Sequence, residues 1–338
     1  MQSITDPTEV STRVQPHVSL GEKLWTLILQ SELVALISFL IILLVVISII
    51  APRFLNIYNI GVIARQTSFV ALVSLGQMLC LIGGAIDLSV GAVAGFTGIL
   101  AALLMVKTPL DPYLCMLAGV LVGALIGFVN GILVTRLRLN AFIATLSMSF
   151  IVTGAIMVVT EGWAIPKVPE KIHWLGKGSI GPVPIPLLIT LLAGVLLSFM
   201  LNRTYIGRHI FAMGGNEEAA ILVGIRVKRL KTLLFIISST LSGMSGVIMV
   251  ARLASGQPTI GQTWLLPSFT APILGGTAMS GGVGSTFGTL LGAAIMGVIQ
   301  NGIVMSGISV YWENVVVGVA LVLAIFLDSL RTRARYRG

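Results

Sequence analysis

The sequence predicts an all-α fold: a polytopic bundle of about ten membrane-spanning helices with both termini in the cytoplasm. Three observations carry this expectation. Mean hydropathy is +1.02, and 56% of the 338 residues are hydrophobic while only 10% are charged, which is more apolar surface than a water-soluble core of this size hides. Uncharged apolar runs near the length needed to cross a bilayer, about 20 residues, recur along the chain. The basic residues gather at the ends of those runs, more on one side than the other.

In chain order, residues 1–31 form a polar leader. The first apolar run starts at Leu33 and lacks a small-x-small cleavage pattern, so it is expected to stay as an anchor rather than be removed as a signal. Runs at 33–51, 66–86, 88–106, 112–135, 139–160, 183–202 and 232–251 are seven candidate spans. Leu253 to Trp312 contains no Asp, Glu, Lys or Arg and must hold about two more, broken near Ser280-Gly281-Gly282-Val283-Gly284. A last span runs from about Tyr311 to Leu327, so the membrane domain covers 32–330 and a basic cytoplasmic tail covers 331–338.

With both ends inside, 14 of the 21 Lys and Arg residues are cytoplasmic, among them Arg136, Arg138, Arg203, Arg208, Arg226, Lys228, Arg229 and Lys231; Arg53, Arg65, Lys107, Lys167, Lys171, Lys177 and Arg252 fall outside. The two-to-one bias follows the positive-inside rule. It also accounts for the +9 formal charge better than nucleic acid does, because no basic stripe is interleaved with exposed aromatics. The loop from Glu161 to Ile185, with its prolines and two tryptophans, is expected to be a stiff external cap.

Glycine is abundant at 38 residues. Gly119, Gly123, Gly127 and Gly131 strip one helix face bare, and Gly284, Gly288 and Gly292 do the same later. Such faces let helices approach closely in lipid, as tight packing or, alternatively, as a dimer or gate interface. Gly83-Gly84 and Gly275-Gly276 hint at a duplicated half whose register does not extend further. Cys80 and Cys115 lie in apolar runs and read as small buried side chains.

The only long internal loop, 203–231, contains Gly214-Gly215-Asn216-Glu217-Glu218-Ala219-Ala220. Asn216 is a good N-cap, Glu217 and Glu218 place negative charge in a first helical turn, and Gly224 is a suitable stop. A short amphipathic helix follows, with Ala219, Leu222 and Val223 on one face. Gly-Gly-Asn-Glu-Glu-Ala-Ala followed by Gly-Ile-Arg-Val-Lys resembles the cytoplasmic coupling segment of ribose-type sugar permeases of ABC importers. Gly-Gly-Ala-Ile-Asp-Leu-Ser-Val-Gly at 83–91, Val129-Asn130-Gly131, Asn140-Ala141-Phe142-Ile143-Ala144-Thr145-Leu146, Gly281-Gly282-Val283-Gly284 and Asn301-Gly302 join that resemblance, which covers about 60–330. It departs at Asn140-Ala141, where relatives often carry proline before the Phe.

The resemblance implies a subunit of the bacterial inner membrane that pairs with a second permease copy, identical or related. It implies ABC ATPase subunits beneath, a periplasmic sugar-binding protein above, and membrane lipid around. Gly214, Gly215, Asn216, Glu217, Glu218, Ala219, Ala220 and Gly224 are then the ATPase-coupling residues, the solute is a small polar molecule such as a monosaccharide, and no cofactor or metal is expected.

Gln77, Asp87, Asn130, Phe142, Gln300 and Asn301 are the candidate substrate-path residues. Amides offer weak, replaceable hydrogen bonds to a sugar, although bonds between helices are their commoner use. Phe142, like Trp264, has a ring that can stack on sugar or simply pack. Asp87 is the one acidic residue deep in an apolar context; it reads as a cap or paired group near the start of the third span, or as a gate. No phosphate-binding Gly-x-x-x-x-Gly-Lys-Ser/Thr, zinc motif or nucleophile elbow is present, so the chain reads as a transport subunit that takes energy from a partner. The rival reading is an ion-coupled secondary transporter, which usually shows paired intramembrane carboxylates.

Overall fold

The computed structural model describes residues 32–309 and 311–335, so the polar leader lies outside the described residues, as do the last three residues of the tail. Along the chain run α1 (Glu32–Ile50), α2 (Ile57–Ile82), α3 (Val90–Lys107), α4 (Pro112–Thr135), α5 (Ala141–Thr160), a 3-10 turn (Glu170–Ile172), α6 (His173–Lys177), β1 (Ser179–Ile180), β2 (Val183–Pro184), α7 (Ile185–Arg203), α8 (Tyr205–Gly215), α9 (Glu217–Leu222), α10 (Val227–Leu253), α11 (Leu265–Leu274), α12 (Thr286–Met305) and α13 (Trp312–Arg335). Eight of these helices are long and apolar enough to cross a membrane: α1 to α5, α7, α10 and α12. The protein is an all-α, multi-pass membrane bundle.

The boundaries differ from the sequence expectation where charges interrupt the apolar count. The second span, expected at 66–86, begins at Ile57, because Asn56 caps it by accepting from the Tyr58 N–H at 2.9 Å, and it ends at Ile82. Asn59 and Arg65 lie inside the helix. Likewise α10 starts at Val227 rather than 232, carrying Lys228, Arg229 and Lys231 on its first turns. Asn140, the departure from the family pattern, caps α5 by accepting from the Phe142 N–H at 2.9 Å. The charge-free stretch after Leu253 holds one full-length helix, α12, and the ten-residue α11. Gly281 and Gly282 break it with φ of +89° and +73°.

Helices α2, α3, α4 and α10 form the centre. The glycine face of α4 packs at backbone distance: a side-chain carbon at Gly123 would sit 2.9 Å from the Ser239 carbonyl of α10, and one at Gly119 would sit 2.7 Å from the Thr97 carbonyl of α3. Gly292 of α12 meets the Ala271 backbone of α11 in the same manner, and Gly288 meets Gly275 just after it. Both glycine stripes therefore pack within the chain, and dispersion replaces the hydrophobic drive that lipid does not supply.

The two glycine pairs close their helices identically. The N–H groups of Gly83, Gly84 and Ala85 donate to Leu79, Leu81 and Cys80, and those of Gly275, Gly276 and Thr277 donate to Ala271, Ile273 and Pro272. The second glycine is left-handed in each, at +69° and +87°, a helix stop that glycine adopts without strain. The likeness is in the turn, the preceding helices being 26 and 10 residues long.

The 161–185 loop is ordered by short elements. Ile165 and Gly256 exchange backbone hydrogen bonds at 2.8 and 2.9 Å, α6 packs on α10, and Lys171 pairs with Asp111.

Candidate functional site

The loop 203–231 folds into a jutting tip. Thr204 caps α8, accepting from the Gly207 N–H at 3.3 Å. Ile210 and Met213, one turn apart on its inner face, are buried, while Arg208, His209 and Ala212 face outward. Asn216 ends α8 and starts α9, its Oδ1 accepting from the Ala219 N–H at 2.9 Å. The chain then reverses at Gly224, with φ +83° and the Ile225 N–H donating to the Ala220 carbonyl at 3.0 Å. Glu217 pairs with Lys231 of α10, and Ala220 is buried against the body. What projects is apolar: Ile221, Leu222 and Val223 are 57%, 87% and 76% exposed. These three adjacent residues make an exposed aliphatic patch at the tip.

The tip is keyed into the bundle through Gly214. A side-chain carbon there would overlap the Ile82 carbonyl at the end of α2 and stand 2.6 Å from the Gly282 N–H. Gly282 itself donates to that Ile82 carbonyl at 2.8 Å. Three glycine turns, 83–84, 214–215 and 281–282, thus meet backbone to backbone. The two adjacent glycines are unequal: nothing lies within 4 Å of a side-chain carbon at Gly215. The sequence marked all three turns but not their meeting.

The interior candidates divide into different settings. Asp87 is buried and accepts from the Ser89 N–H at 3.0 Å, the Ser89 hydroxyl at 2.6 Å and the Ser238 hydroxyl of α10 at 3.0 Å. Asn130 of α4 donates to the same Ser89 oxygen at 2.9 Å, and Thr145 of α5 accepts from the Leu88 N–H at 3.0 Å. The Asp87 turn is thereby tied to three helices just before α3 begins. Gln77 is also buried, and neither atom of its amide has a partner; nor has Asn130 Oδ1. Such orphaned polar atoms mark a place where water or a passing hydroxyl fits.

Phe142 is exposed on the first turn of α5. It lines a cavity of about 610 Å³ shared with Arg138, Asn140, Glu217, Lys228 and Lys231, beside the coupling tip. Asn301 exchanges two amide hydrogen bonds with Asn59, at 2.8 and 3.1 Å, clasping α12 to α2. Gln300 donates to Glu313 of α13 at 2.8 Å and opens on a second cavity of about 320 Å³, lined also by Gln66, Arg252 and Gln257. Sequence reasoning placed Arg252 in an external segment end and passed over Gln257 and Glu313. The signal for Arg252 was its position as the last charge before the long uncharged stretch.

The fold defines a class: a multi-pass helical membrane protein with a protruding tip between two of its long helices. The sequence matches, over residues 59–325, the family described as branched-chain amino acid transport system, permease component. It is 37% identical to the ribose import permease protein of Escherichia coli (strain K12) over 311 residues, 91% of this chain and 95% of that one. It is 31% identical to the L-arabinose ABC transporter permease protein of Azospirillum brasilense over 311 residues, 92% and 91% of the two chains. The D-allose transport system permease protein of E. coli (strain K12) is 34% identical over 279 residues, 82% and 85%. No solved structure matches the chain. The chain belongs to this family of ABC-importer permeases.

Proposed function

We propose that this chain passes a monosaccharide across the bacterial inner membrane as one of two permease subunits, driven by ATPase subunits docked at 214–224 and fed by a periplasmic sugar-binding protein. The observation that carries the reading is the tip itself: an apolar knob, Ile221 to Val223, held by Asn216 and Gly224 and keyed through Gly214 to the ends of α2 and of the 277–285 turn. A partner that grips the knob pulls on the interior. The sugar permeases among the relatives support the solute class.

In this reading Gly214, Gly215, Asn216, Glu217, Glu218, Ala219, Ala220 and Gly224 form the coupling element. The eight long helices are joined by α13 and by a ninth crossing that combines α11 with the non-helical 254–264, making ten spans with both termini inside. Gln77, Asn130, Phe142 and Gln300 line the solute path, because each carries an unpartnered polar atom or faces a cavity. Asp87 and Asn301 brace it, their polar atoms being engaged by neighbours. The chain itself hydrolyses nothing.

The test is reconstitution with the ATPase and the binding protein, measuring ATP-dependent uptake of labelled sugars for the native chain, Glu218→Lys and Gly215→Trp. Uptake should require ATP and fall with both substitutions. Uptake without ATPase, or indifference to both changes, would sink the coupling proposal.

A further inference from the structure

The cavity at the far end of α10 from the coupling tip has a composition that packing does not explain. Helix α10 spans 27 residues, about 40 Å at 1.5 Å per residue; Lys228 and Lys231 stand at its coupling end, and Arg252 stands on its last turn. The Arg252 guanidinium lies over the Phe69 ring at 5.4 Å and has no carboxylate or hydrogen-bond partner among the described residues. A half-buried cation without a partner is costly unless it faces water or a ligand. It opens on the 320 Å³ cavity together with Gln66, Gln257, Gln300 and Glu313.

Each of these groups keeps bonding capacity in hand. Among the described residues the Gln66 amide has no partner, Gln257 reaches only Ser255 at 3.4 Å, and Glu313 spends one oxygen on Gln300. The set therefore offers a donor-only group, an acceptor-only group and three amides that do both. One wall is Trp264, stacked on Phe69 with ring centres 6.2 Å apart. Arg252 and Glu313 balance each other among the lining residues, and Arg65 stands close enough to Arg252 to repel it. Its floor is the non-helical stretch around Thr259 to Gly261, and irregular backbone persists at membrane depth only where it is buried in protein or lines a wet cavity.

We infer that this cavity is a receiving site for one neutral sugar or sugar alcohol on the external side of each permease chain. The site rests on the importer reading for its place in transport. Its ligand class follows from the lining: hydroxyls both donate and accept, so a polyol satisfies Arg252, Glu313 and the amides together, while its C–H face meets Trp264. The volume falls within the range of small-ligand pockets, about 300 to 1,000 Å³.

The test uses the full chain in detergent with Thr263→Cys, at an exposed lining position, as a reporter; Cys80 and Cys115 are buried. Labelling by a polar maleimide is followed while D-ribose, L-arabinose, D-allose and a panel of other neutral pentoses, hexoses and sugar alcohols are added to about 10 mM, in the weak-affinity range expected of a transit site. At least one should slow labelling there and not at Leu110→Cys. Arg252→Gln and, separately, Gln300→Leu should each raise the half-protecting concentration by about tenfold. No protection by any neutral solute, protection by an aldonate anion alone, or protection unchanged in both variants overturns the site. No ATPase enters the assay, so protection without ATP-driven uptake would count against the importer reading and leave the site standing, and the converse would do the reverse.

Discussion

The two ends of α10 are built to opposite rules. At the coupling end the cation Lys231 is neutralised by Glu217, the turns are locked backbone to backbone, and what faces outward is aliphatic. At the far end Arg252 makes no ion pair among the described residues, the walls combine amides with Glu313 and Trp264, and the surrounding links are side-chain hydrogen bonds that break singly. One end suits a rigid protein partner and the other suits a small hydroxylated molecule. The coupling end should therefore tolerate least change, and tolerance should grow toward the external face.

The largest effect is expected at Gly214. Gly214→Val forces a side chain into the Ile82 carbonyl and should abolish ATP-driven uptake, a loss of about 100-fold or more, while Gly215→Ala, with open space around it, loses much less; paired uptake and ATPase assays on the assembled importer decide this. If the two variants behave alike, the three-turn junction is not what transmits movement. Next is Leu222→Asp. A hydrophobic contact at the centre of an interface is worth about 2 kcal/mol or more, so ATPase should no longer co-purify at ordinary concentrations, although the permease alone should melt as before.

Midway along the bundle, Asp87→Ala strands the Ser89 N–H and two hydroxyls. With about 1 to 3 kcal/mol per stranded group, stability in detergent should fall by at least about 3 kcal/mol, read by thermal unfolding. Toward the external face, Asn301→Leu removes the reciprocal amide pair with Asn59 and should cost about 1 kcal/mol, in the range measured for hydrogen bonds between membrane helices.

The smallest effect is at the external pair of Asp111 and Lys171. The hydrogen bond from Lys171 lowers the Asp111 carboxyl and raises the lysine from their ordinary values. A lowered carboxyl contributes stability above its unfolded-state value and loses it as pH falls through the folded value. A raised ammonium contributes below its unfolded-state value and loses it as pH rises through the folded one. Lys171→Ala should therefore leave neutral-pH transport intact and flatten the acid limb of the unfolding profile, an exposed pair being worth little.

The local features were legible in the sequence. Asn216, Glu217, Glu218 and Gly224 announce a capped helix and its stop through chemistry that acts within one turn, and apolar run length finds most spans. The start of α2 was hidden because Asn59 and Arg65 interrupt the apolar count although the helix continues through them. The structure of 254–285 was hidden for the converse reason: with no charge to punctuate it, nothing distinguishes ten residues of helix from twenty. The junction at Gly214 and the cavity at Arg252 join residues from distant parts of the chain, Ile82 with Gly282 and Gln66 with Gln300. Neither local propensity nor periodicity carries such long-range information.

The stretch from Ala254 to Leu274 also bears on how the protein is made. Its helix is half the length that inserts on its own, and its non-helical part rests on glycines of another helix: a side-chain carbon at Gly95 of α3 would lie 2.6 Å from the Ile260 carbonyl. That irregular backbone is accommodated where α3 stands beside it. The order of synthesis meets this need, since α3 leaves the ribosome well before residue 254. The crossing is a late guest in a bundle whose earlier members must already be in place, and substituting Gly95 should surface first as a defect of biogenesis.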